Sequence, residues 1–121
     1  VRATCYVTGG SEASLNELAA GKEVRLWVAN GSTLSIEKNG TIPDTAEGTL
    51  KVTEGSRFEG LGFTLPSLDV TMSGGSQASV SVTQGLTAGL NEASSLKYRA
   101  PAGVTAETTE LSGGSTIQQV P

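Results

Sequence analysis

The side chains able to do chemistry are few in kind. The chain carries ten glutamates, two aspartates, eight lysines and arginines, one cysteine and no histidine. Without histidine there is no Ser-His-Asp or Cys-His arrangement, and the commonest general base near neutral pH is missing. His-bearing zinc sites are excluded too, and Cys5 alone cannot build a thiolate-only site. Carboxylates are the remaining route, since an acid/base pair can hydrolyse glycosides. Most of the glutamates, however, fall at strand ends or turns, where water solvates them. Asp44 and Glu47 in PDTAEG (43–48) are the only grouped oxygens for calcium, which needs several from one compact loop. No G-x-x-x-x-G-K-[ST] run and no glycine-rich strand-to-helix turn is present, so phosphate cradling is unsupported. These absences predict a non-enzymatic protein without metal or cofactor.

Binding chemistry is better represented. Sugar rings stack on exposed aromatics, and the chain has five aromatic residues, including a single tryptophan. Trp27 falls on the Arg25 side of its strand, opposite Val24, Leu26 and Val28. Trp27 and Arg25 are then either a solvent-facing platform for a glycan or receptor, or Trp27 closes a second core layer. The second is favoured, because a lone tryptophan in a sandwich often closes a sheet edge. Tyr6 and Tyr98 show no grouping with it. Asn30-Gly31-Ser32 and Asn39-Gly40-Thr41 both match the N-glycosylation acceptor, although two turns followed by strand-forming hydroxyl residues account for both. The basic residues are scattered, and the net charge is −4. A nucleic-acid face needs a basic stripe with stacking aromatics, so none is expected.

At 121 residues the chain fits one domain, 1–121. Hydrophobic residues make up only 36 %, against 16 glycines, 14 serines and 15 threonines. Such a chain builds thin strands and many turns. No run approaches the roughly 18 apolar residues of a membrane span. No basic segment followed by an apolar one is present either, so any signal peptide is expected to be gone. Cys5 has no partner for an intramolecular disulfide and reads as a small buried hydrophobe.

Period-two alternation dominates. VRATCYVT (1–8) points Val1, Ala3, Cys5 and Val7 one way. Ser14 and Glu17 form a capping box, Leu15, Leu18 and Ala19 give an apolar side, and Gly21 stops the turn. This predicts one short helix near residues 15–20. Val24, Leu26 and Val28 resume the alternation, and Asn30-Gly31 predicts a type I′ hairpin into 32–37, with Leu34 and Ile36 inward. GTLKVTEG (48–55) echoes GSTLSIEKNG (31–40), which reads as two similar strands rather than a true repeat. A strand near 57–65 carries Phe58, Leu61 and Phe63 and ends at Pro66. Leu68, Val70 and Met72, a Gly-Gly turn, then Ala78, Val80 and Val82 read as the clearest hairpin. Strands near 96–100, 104–111 and 115–120 follow, the last an edge strand or tail. The pattern predicts an all-β, antiparallel sandwich or barrel of roughly 7–9 short strands.

The stretch LDVTMSGGSQASVSVTQGLTAGL (68–90) contains one charge, Asp69. Interface cores are depleted in charge because desolvating Lys or Glu is unfavourable. The outward row of this hairpin, Thr71, Ser73, Ser79, Ser81 and Thr83, is therefore the candidate interaction face. The alternatives are a central hairpin covered within the domain and a solvated hydroxyl-rich surface. In character the composition resembles small β-rich subunits of virions (tail and decoration proteins) and of bacterial surface structures. The reading is a structural subunit, a homo-oligomer or part of an assembly, in a virion or at a cell surface. It would associate with itself or neighbouring subunits, by burying the 68–83 hairpin and by strand addition at a terminus. The alternative is a monomeric surface module that binds a glycan or receptor.

Overall fold

In the computed structural model, described for residues 2–15, 23–37, 47–100, 103–104 and 106–119, every regular element is a strand. In chain order these are β1 Arg2–Val7, β2 Glu12–Leu15, β3 Glu23–Val28, β4 Thr33–Ile36, β5 Glu47–Val52, β6 Arg57–Met72, β7 Gln77–Leu90, β8 Ser95–Arg99, β9 Ala106–Leu111 and β10 Thr116–Gln119. Every pairing is parallel. One ladder runs β1–β3–β5–β6–β7–β9 and a second runs β2–β4–β6–β7–β8–β10. β6 and β7 serve both, their first residues in the second ladder and their last residues in the first. The chain is a β-solenoid, and the expected antiparallel sandwich or barrel is incorrect.

The unit that winds it is a corner. Gly9-Gly10, Asn30-Gly31, Glu54-Gly55, Gly74-Gly75, Glu92-Ala93 and Gly113-Gly114 all have positive φ at both residues. That is the backbone of a primed turn, which the sequence signals correctly at Asn30-Gly31. It does not close a hairpin, however. β3 and β4 never pair with each other; the corner passes the chain from the first ladder to the second, and each strand pairs with the next coil. The expected hairpin over 68–83 fails in the same way, its two arms lying in different ladders.

Corner stacks on corner through the backbone. The amide of Gly10 donates to Asn30 O at 3.0 Å, Gly31 to Glu54 O at 3.0 Å, Gly55 to Gly74 O at 2.9 Å and Gly75 to Glu92 O at 2.8 Å. Each corner then ends in serine: Ser11, Ser32, Ser56, Ser76, Ser94 and Ser115. Ser32, Ser56, Ser76 and Ser94 are buried, and their hydroxyls are satisfied locally or across coils. Ser32 Oγ accepts from Ser11 N–H at 3.2 Å and Ser56 Oγ from Ser32 N–H at 3.2 Å, while Ser115 Oγ accepts from Ser94 N–H at 3.1 Å. Ser76 Oγ donates to Ser73 O at 2.6 Å, and Ser94 Oγ to Asn91 O at 2.8 Å. A buried hydroxyl needs such a partner. The true repeat therefore lies in the turns, whereas the 31–40 and 48–55 echo aligns a corner with a strand.

Between the ladders lies one apolar core. Val28, Val52, Met72 and Leu90 form one cross-strand row, Leu26, Leu50, Val70 and Ala88 the next, and all are buried. Leu34, Phe58, Ala78 and Leu96 face them from the second ladder. Gly48 interrupts an inward row because a Cβ there would lie 2.6 Å from Leu65 Cδ1. The strand expected to stop at Pro66 continues through it, since β6 shifts register there and needs no amide donor. Ser14 and Leu15 belong to β2, so no helix starts there; residues 16–22 lie outside the described residues, as do Asn39 and Asp44. The side chains of Cys5, Leu61 and Phe63 also lie outside them.

The corners generate two substitutions of opposite sign. Ala93 sits at φ 63°, where a Cβ is strained by roughly 1–2 kcal/mol. Ala93→Gly relieves that strain and loses about 0.5–1 kcal/mol to chain entropy. Urea unfolding should show a small net stabilisation. A Cβ on Gly74 would meet Glu54 N at 2.9 Å in an already left-handed backbone, so Gly74→Ala should destabilise by about 1–3 kcal/mol.

Candidate functional site

Because the strands stack in register, residues at one position of successive coils form rows. The position three residues before each corner faces outward, and there Tyr6, Trp27, Lys51 and Thr71 stand side by side on β1, β3, β5 and β6. Tyr6 and Trp27 meet edge to face, with ring centroids 4.7 Å apart and planes at 68°. Lys51 Nζ lies 4.7 Å from the centroid of the Trp27 ring, within range of a cation–π attraction. Tyr6 is 54 % and Trp27 40 % exposed, while the only other large exposed hydrophobic among the described residues is Leu111 at 49 %.

The adjoining outward row is Thr4, Arg25, Thr49 and Asp69. Arg25 Nε is 2.6 Å from Glu23 Oε1 on its own strand, a contact that ties the guanidinium to β3. Thr4, Tyr6, Arg25, Trp27, Thr49 and Lys51 together line a shallow, open and largely apolar depression. Trp27 is thus not the lid of a second core layer. It belongs to a surface cluster that includes Arg25, its expected companion, together with Tyr6 and Lys51, which sequence reasoning left ungrouped. The signal that would have found them is their common distance from a corner.

The five hydroxyl residues are not brought together in one row. Thr71 is exposed on the outer face of the first ladder, next to Lys51. Ser73 is at the corner, where its carbonyl accepts from Glu54 N–H at 3.2 Å and from Ser76 Oγ. Ser79 is half-buried on the second ladder, in register between Glu59 and Lys97. Ser81 is buried where β7 crosses between ladders, accepting from Thr64 Oγ1 at 3.0 Å, and Thr83 is exposed just beyond.

No group of three or more metal-ligating side chains occurs among the described residues. Asn30 Nδ2 donates to Thr8 Oγ1 at 2.7 Å, and Ser32 of the same acceptor motif is buried in its corner. No helix among the described residues is long and apolar enough to cross a membrane.

The fold and site together define a parallel β-solenoid with an exposed aromatic and cationic cluster on one outer face. No protein family, curated protein or solved structure matches the chain. The compositional resemblance to virion tail and decoration subunits gains no support from the comparisons and is set aside together with the sandwich fold that accompanied it.

Position along β7 and β6 decides how a charge is tolerated. Ser81→Lys places an ammonium where Ser81 is buried and should destabilise by more than about 3 kcal/mol. Thr71→Lys, on the exposed row, should stay within about 0.5 kcal/mol of the parent. Thermal melts of the two variants provide the comparison.

Proposed function

We propose that this chain is a non-enzymatic structural subunit that assembles by extending its parallel ladders onto a neighbouring subunit. Leu111 carries the reading. It occupies the inward row of Val28, Val52, Met72 and Leu90, in direct register with Leu90. Those four are fully buried, yet Leu111 is 49 % exposed. Its row asks for one more strand. Among the described residues, β9 and β10 each pair on one side only, so backbone donors and acceptors flank the same uncovered apolar end, and β1 and β2 leave the matching open edge at the other end. Stacked coils are stabilised by their neighbours, and an open strand edge is a template for strand addition. Addition at an edge replaces burial of the 68–83 segment, whose arms form no hairpin.

Burying a leucine side chain contributes roughly 1.5–3 kcal/mol. Size-exclusion chromatography with light scattering should show association that rises with concentration. Leu111→Asp should weaken that association at least about tenfold, since 1.4 kcal/mol is a factor of ten, with an unchanged far-ultraviolet spectrum. A strict monomer over a wide concentration range would overturn the assembly reading.

A further inference from the structure

We infer that the outer face of β1, β3 and β5 is a binding subsite for a carboxylated sugar, a uronate residue of an acidic glycan. This goes beyond assembly, uses a different surface and stands on separate observations.

The first is apolar. Tyr6 and Trp27 keep about half of their surfaces in water, and rings of this kind offer a face or edge to the C–H surface of a pyranose. The second is polar. The hydroxyls of Thr4 and Thr49 flank Arg25 in the neighbouring row, two residues earlier in each strand. At roughly 3.3 Å per residue, the two rows are about 7 Å apart, a separation one sugar ring and its substituents span. Hydroxyl donors and acceptors therefore stand where a ring resting against the aromatics presents its own hydroxyls.

The third is charge. Lys51 forms no ion pair among the described residues; its ammonium rests over the Trp27 ring. That contact is weak at an exposed site, about 0.5–1 kcal/mol. A ligand carboxylate offers the same ammonium a charge-assisted hydrogen bond and draws it off the indole, leaving that ring face open to the sugar. Arg25, already paired with Glu23, supplies a fixed positive edge below. Asp69 stands next to Thr49 in the adjoining row and repels an anion, so the ligand lies over β1, β3 and β5 rather than along the whole ladder.

Trp27 is the only tryptophan in the chain, and its fluorescence reports directly on this patch. Titration with trigalacturonic acid at low salt should shift Trp27 emission with saturation, and raising the salt should weaken binding. A neutral galactose trisaccharide should leave the emission unchanged. Lys51→Gln should weaken acidic-sugar binding about tenfold, and Tyr6→Ala should weaken it several-fold, both with an unaltered melting temperature. Leu111→Asp should bind like the parent, so loss of assembly and loss of sugar binding are read separately. An emission response that is absent, that is equal for neutral and acidic sugars, or that is unchanged in Lys51→Gln would overturn the inference.

Discussion

Two consecutive left-handed residues followed by a serine are the constraint on which the solenoid rests. Residues other than glycine and asparagine rarely accept positive φ, and successive ones are rarer still. Here Glu54, Glu92 and Ala93 do so, which is explained by what the corner gains. Its amide donates to the carbonyl of the next corner, so the turn itself becomes part of a ladder about 4.8 Å in step. The serine that follows is buried at the four inner corners and stays satisfied by a nearby carbonyl or by the amide of the preceding coil. With corners fixed in this way, strands on both sides have no freedom to slip, and parallel register follows.

Register in turn converts sequence position into surface position. A side chain three residues before a corner meets its counterparts from coils twenty or so residues away, which is how Tyr6, Trp27 and Lys51 come together. The same rule places Leu90 under Leu111 and exposes an apolar end. Both the aromatic patch and the open edge are consequences of one geometry. They differ in kind: the patch offers side chains, whereas the edge offers backbone and one leucine.

Much of the interior was legible in the sequence. Alternation assigned Val24, Leu26, Val28, Leu34, Ile36, Val70, Met72, Val80, Val82 and Leu96 to the inside, and all ten are buried. It could not assign strand direction, because the pleat alternates identically in parallel and antiparallel sheets. Asn30-Gly31 and Gly74-Gly75 then argued for hairpins, since primed turns most often close them. The local backbone was right and the partner strand wrong. What discriminates is recurrence: serine after a two-residue turn at 11, 32, 56, 76, 94 and 115 is a repeat of some twenty residues, the mark of stacked coils. The site followed the fold. Trp27 with Arg25 was legible as a possible platform, but Tyr6 and Lys51 could not be joined to it without the coil register.

The corner serines are separated by 21, 24, 20, 18 and 21 residues, yet the strands flanking each corner remain in step apart from one bulge on β9, between Thr108 and Glu110. The rest of the inequality is absorbed on the return path from the second ladder to the first, where β6 and β7 also shift register. The corner side of the molecule is thus nearly fixed in length, and the return side is the main length reservoir. Insertions on the return side lengthen a loop without disturbing the stack, whereas a single residue added at a corner turns every following side chain out of its row. A molecule built this way can change what it displays on one flank while its cross-section stays constant.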